Sequence, residues 1–140
     1  MNDRYLFRGK SLIGRKWVIG DLLQWEDGDS EICVKDSDGG KGKFAVDPQT
    51  VGQCTGLKDK NGRLIFEWDV VESRASENQE DWKKWVVGFS DGSFCFNRKI
   101  PKKRKHKYEE NLLCVDEIEL YGLTVIGNVT DNPELLEVKE

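Results

Sequence analysis

Short apolar runs separated by turn-forming residues recur along the chain, and hardly any of them repeat at the period of a helix. The clearest stretch runs from Gln53 to Val71. In it, Asn61 and Gly62 are placed to adopt the positive φ values of a type I′ turn, whose twist matches that of the flanking strands. Leu64, Ile65 and Phe66 follow as an apolar run, and Glu67 and Asp69 alternate with Trp68 and Val70. This pattern predicts one strand with a buried face and an outward row of carboxylates. A second hairpin is predicted over 85–96, where Asp91-Gly92 separates Trp85–Phe89 from Phe94–Phe96.

The remaining runs extend the same reading. Tyr5 to Phe7 starts an edge strand, with a turn at Gly9 and Lys10. The dense stretch from Trp17 to Trp25 suits two short strands or one bulged strand, and Glu26 to Ser30 suits a solvated hairpin tip. Its carboxylates lack the ligand spacing of a calcium loop. Ile32 to Val34 returns as a strand, Asp36 to Lys43 is a connecting loop without a phosphate-binding signature, and Phe44 to Val46 is stopped by Asp47-Pro48. Glu72 to Asp81 lacks apolar periodicity and reads as a loop or a frayed helical turn. For 112–120, strand and short helix both stay open. Leu123 to Val129 is β-like with a bulge or a close backbone approach at Gly127, and one helical turn follows Pro133, capped by Asp131 or Asn132.

The fold class predicted is therefore mainly β, built from short antiparallel hairpins with at most short helices, either as one domain or as two small lobes sharing a core. Five Trp, six Phe and three Tyr in 140 residues supply large apolar surfaces. Core packing explains such rings more often than a stacking platform for bases or sugars. A net charge of -4 with 34 % charged residues weakens any general attraction to nucleic acid or anionic membranes, so such a contact must be local. Nowhere do some 18 apolar residues run together, and the expected location is the cytoplasm, with reduced thiols and no membrane partner.

Candidate chemistry is sparse. Cys33, Cys54, Cys95 and Cys114 lie far apart and His106 is the sole imidazole, so neither a metal site nor a cofactor is expected. No nucleophile elbow or acid–base set stands out, so no catalytic residue is assigned. Glu67 and Asp69 share a strand face on the period-2 reading, which makes them an outward polar row before it makes them a catalytic pair. The strongest single-sign segment holds Arg98, Lys99, Lys102, Lys103, Arg104, Lys105 and Lys107. It suits phosphate backbones through counterion release, but Glu109 and Glu110 follow it directly, and a solvated loop is the preferred reading.

Two blocks carry a family resemblance. One holds Gln53, the run Thr55-Gly56-Leu57-Lys58-Asp59-Lys60-Asn61-Gly62, Ile65, and Glu67 to Val71, which includes Asp69 and Val70. The other holds Val125 to Val129, with Gly127 and Asn128, and then Asn132-Pro133-Glu134-Leu135-Leu136. With the opening Phe7-Arg8 and Gly20, these residues resemble the YopX family of small phage and prophage proteins. The family pattern usually has an aromatic where this chain has Cys54 and a glycine where it has Trp68. The resemblance implies a mostly β fold with an SH3-like barrel and an origin in a mobile element, acting in the host cytoplasm. It brings no established activity and no catalytic residues. The favoured function is a non-enzymatic binding module, its partner a host or phage protein or a second copy of itself. Nucleic-acid binding through residues 98–107 is the alternative.

Overall fold

β-branched and aromatic residues dominate the apolar runs, and these runs form strands. The computed structural model describes residues 3–35, 41–73, 83–90, 92–97, 113–114 and 123–136. These residues fall into two compact units, Met1–Gly56 and Leu57–Glu140. The elements are mainly β, arranged in two antiparallel sheets with short 3₁₀ turns and no closed barrel among the described residues.

In the first unit, β1 (Phe7–Lys10), β2 (Trp17–Gln24), β3 (Ser30–Lys35), β4 (Lys41–Val46) and β5 (Gly52–Lys58, which runs on into the second unit) pair in the order β4-β3-β2-β1-β5. β1 lies between β2 and β5 and is not an edge strand. Gly9 and Lys10 belong to it and make no turn, because the turn falls at residues 12–14. Gly9 sits where a Cβ would lie 3.0 Å from Val46, so its value is close packing. The stretch from Trp17 to Gln24 is one continuous strand, and β4 begins at Lys41, taking in residues expected to be loop. Ile32 and Val46 are fully buried, but Trp25 stands exposed and Trp17 half-buried beneath the Arg8 guanidinium, 4.7 Å from its ring. Asp47 ends β4 as predicted: its carboxylate accepts the Gln49 N–H and caps the 3₁₀ turn Pro48–Thr50.

The second unit's sheet runs β10-β9-β8-β7-β11, made of β7 (Asp69–Ser73), β8 (Lys83–Ser90), β9 (Ser93–Asn97), β10 (Leu113–Cys114) and β11 (Thr124–Asn128). β8 and β9 form the predicted hairpin, with Ser90 opposite Ser93 and Gly92 at φ 84°. Alternate residues of each strand enter different cores, so both faces are covered. Val71, Trp85, Val87, Phe96 and Val125 cluster with Ile65 and Leu123 on one face, while Val70, Val86 and Cys95 cluster with Trp68 and Val129 on the other. Trp85 satisfies its indole by donating to the Ser73 hydroxyl at 2.8 Å.

β6 (Leu64–Phe66) and β7 are separate strands, and the predicted single strand breaks at Glu67-Trp68. Trp68 has φ 71°, in the left-handed region. The break overturns the outward carboxylate row: Asp69 is 1 % exposed, and its carboxylate accepts the Phe66 N–H at 2.8 Å across the turn, while Glu67 is half-buried in the turn.

The bulge at Gly127 is present as a register shift between Val125 and Gly127. A Cβ there would lie 2.5 Å from Asn132 Oδ1 and 2.8 Å from Leu135 Cδ1. Gly127→Ala is expected to cost about 2 kcal/mol, the usual scale of overpacking, read from the denaturant midpoint of the second unit.

Candidate functional site

The two motif blocks are tied to each other in the second unit by Asp59 and Val125, and the Asp59–Arg63 hairpin places the first of these. The Gly62 N–H donates to the Asp59 carbonyl and the Asp59 N–H to the Arg63 carbonyl. Gly62 has φ 80°, but Asn61 is not in the left-handed region. The type I′ turn is therefore replaced by a turn over Lys60-Asn61 that Gly62 closes, the usual form of a three-residue hairpin loop. The cause is the Asp59 side chain, whose Oδ1 accepts the N–H groups of both Asn61 and Arg63 at 2.9 Å and organises the loop as an Asx turn.

The other oxygen reaches further. Oδ2 accepts the Val125 N–H at 3.0 Å, 66 positions away, while the Lys60 N–H donates to the Leu123 carbonyl at 3.0 Å. The hairpin thus closes the outer edge of β11. Burial of Asp59 pushes its carboxyl pKa up, but the bonds from Val125, Arg63 and Asn61 and the Arg63 charge outweigh that and hold it below its ordinary value. The carboxylate is an acceptor for three backbone donors, a role that leaves it poorly placed for proton transfer.

The second block closes on itself in the same way. The Asn128 side chain accepts the Asp131 N–H at 2.8 Å and donates to Asp131 Oδ2 at 3.2 Å, and the Asn132 side chain accepts the Asn128 N–H at 3.3 Å. The Leu135 N–H donates to the Asn132 carbonyl at the start of the 3₁₀ turn Pro133–Leu136, so the expected helical turn is a 3₁₀ turn. Pro133 and Glu134 are exposed on it. Of the remaining motif residues, Ile65, Val70 and Leu57 belong to or pack against the cores. Thr55 is half-buried, and Gln53 donates to the Arg4 carbonyl at 2.8 Å. Gly56, at φ 81°, lets Arg4 approach.

Within the second unit the structure ties Asp59 to Val125 and Asn128 to Asp131 and Asn132, as architecture, whereas Gln53 and Gly56 lie against Arg4 in the first unit. Arg98, Lys99, Lys102, Lys103, Arg104, Lys105, Lys107 and His106 lie outside the described residues, as does most of 112–120. Among the described residues no three of His, Cys, Asp and Glu group so as to hold a metal ion, and no helix is long and apolar enough to cross a membrane.

What sequence reasoning missed is apolar surface on hairpin tips. Ile13 is 92 % exposed beside the exposed Leu12 at the β1–β2 tip, and Trp25 is 53 % exposed at the β2–β3 tip. Phe89, half-exposed, meets Phe94 edge-to-face at 5.1 Å near the β8–β9 tip. A Leu-Ile pair directly before Gly14-Arg15-Lys16 was the available signal for the first of these.

Comparison with known proteins is consistent over the whole chain. The family model described as YopX protein matches residues 6–137. The crystal structure of YopX from Bacillus subtilis aligns with a TM-score of 0.58 at 23 % identity, covering 100 % of both chains. That of EF1440 from Enterococcus faecalis aligns with a TM-score of 0.53 at 23 % identity, covering 94 % of this chain and 96 % of the other. At such identities the likeness to these structures is one of fold. No curated protein matches the chain.

Proposed function

Because the chain belongs to the YopX family, we propose that it is a non-enzymatic β module, from a phage or prophage and working in the host cytoplasm, that binds another protein or a copy of itself. The supporting observation is a division of labour. The Asp59, Asn128 and Asn132 side chains accept backbone N–H groups, whereas large apolar side chains stand exposed on hairpin tips, Leu12, Ile13 and Trp25, or just beside one, Phe89. Rigid frames that present side chains on loops are a common design for recognition. The bend that brings Ser11 against Val46, beyond the end of β1, also suits an open SH3-like barrel in the first unit.

The test is affinity capture from lysate of a host carrying the element, with the wild type and with Ile13→Asp and Trp25→Ala as baits. Proteins retained by the wild type and lost from a variant support the module, and identical sets from all three baits count against it. A salt-sensitive electrophoretic shift that disappears on replacing Lys102, Lys103, Arg104 and Lys105 would favour the nucleic-acid alternative instead.

A further inference from the structure

Asn61 is the one asparagine of the sequence that a glycine follows. Such a pair can react with itself. The main-chain nitrogen of the glycine attacks the side-chain Cγ of the asparagine, a C–N bond closes a succinimide ring, and the side-chain nitrogen leaves as ammonia with the proton that the glycine nitrogen gave up. Water then opens the ring at either carbonyl. Opening at Cγ frees an aspartate, and opening at the main-chain carbon frees an isoaspartate, whose main chain runs through the former side chain and is longer by a carbon. Glycine favours ring closure because no Cβ shields its nitrogen and its backbone turns freely.

In the folded hairpin the reacting groups are accessible but restrained. Asn61 and Gly62 are both exposed. The attacking nitrogen is engaged, because the Gly62 N–H donates to the Asp59 carbonyl at 3.0 Å. On either side of it, the N–H groups of Asn61 and Arg63 both bond to Asp59 Oδ1 at 2.9 Å. Ring closure therefore waits for the loop to open, and the Asp59 carboxylate sets how often it does.

We propose that Asn61 is a self-modification site gated by Asp59, and that its isoaspartate product releases the outer edge of β11. The added main-chain carbon lies between the Asn61 and Arg63 nitrogens, so the two N–H groups no longer converge on one oxygen. The new carboxylate also sets a second negative charge in the turn beside Asp59, and like charges repel. Both effects loosen the loop that keeps Oδ2 on the Val125 N–H and the Lys60 N–H on the Leu123 carbonyl. β11 is the last strand in its sheet's order, and freeing these groups leaves an edge able to take up another strand. The reaction consumes water and releases ammonia, with no change of oxidation state. It goes beyond the binding reading and does not depend on it.

Ageing the full chain at physiological temperature, from neutral to alkaline pH, tests the proposal, with peptide mass spectrometry following Asn61 and amide hydrogen exchange following Val125. Wild-type Asn61 is expected to convert slowly, and faster as pH rises because the attacking nitrogen must lose its proton, while the other asparagines stay intact. Asp59→Ala is expected to convert at least about tenfold faster, the factor that matches about 1.4 kcal/mol of lost hydrogen bonding. Asp59→Asn, which still accepts, should fall between the two, and it carries the comparison if Asp59→Ala does not fold. Gly127→Ala weakens the second unit away from the loop and is expected to convert at the wild-type rate. In the isoaspartate form Val125 should exchange faster than in Asn61→Asp, which carries the charge without the longer main chain. Asp59 variants that convert no faster than the wild type, Gly127→Ala keeping pace with them, Asn61 intact in every protein, or an isoaspartate form in which Val125 stays protected overturns the proposal. Each of these outcomes leaves the binding reading to its own capture experiment.

Discussion

Replacing Asp59 with alanine is expected to destabilise the second unit by about 3 kcal/mol, because three backbone N–H groups lose a charged acceptor and two elements lose their tie. Asp59→Asn should cost less, about 2 kcal/mol, since an amide oxygen still accepts but its NH₂ faces a backbone donor. The pH dependence identifies the carboxylate. Its pKa is lower folded than unfolded, so its contribution is fully present above the unfolded value and disappears as pH falls through the lowered folded value. The stability gap between wild type and Asp59→Asn, from urea unfolding at a series of pH values, should hold near neutrality and narrow in acid. A gap of constant size down to the acid limit would show that the side chain acts by shape alone.

Three of the features that rest on glycine were legible, and the strand break that rests on a left-handed side chain was not. Gly62 and Gly92 mark the hairpins at which they lie, both with positive φ, and Gly127 marks a bulge where a neighbour comes close. Gly9 misled because a glycine in a strand for close packing has the same signature as one in a turn, while the true tip relies on Gly14 and on Arg15 at φ 49°. The period-2 argument failed at Glu67 and Asp69 because it assumes an unbroken strand, and a left-handed Trp68 breaks it without any turn-forming residue to announce the fact. At the candidate site, the motif residues were recognisable but their role was not. Asp59 reads as an ordinary loop carboxylate until Val125, distant in sequence, is seen to donate to it. The exposed Ile13 and Trp25 were hidden by the rule that large apolar residues go inside, which holds for Phe66, Trp68, Trp85 and Phe96 but not at these hairpin tips.

Trp68 should then show an order of substituent effects that a simple core residue does not. Its ring packs with Val70, Val86, Cys95 and Val129 at 7 % exposure, and its backbone joins two further elements: its N–H donates to the Val87 carbonyl and its carbonyl accepts the Val129 N–H, both at 2.8 Å. Trp68→Ala removes the packing and is expected to cost about 4 kcal/mol. Alanine keeps a Cβ, so the penalty of about 1 kcal/mol for a left-handed residue remains. Glycine carries no such penalty, and Trp68→Gly is expected to be about 1 kcal/mol more stable than Trp68→Ala, although glycine is elsewhere the more disruptive replacement. The family resemblance, in which glycine usually stands here, then has a physical reading: this chain keeps a backbone shape suited to glycine and fills the space with an indole. Thermal and urea unfolding of the three proteins decides it. Alanine matching or exceeding glycine would mean that φ at this position relaxes once the ring is gone, and that the ring, through its packing against Val70 and Val129, is what holds the turn in its left-handed form.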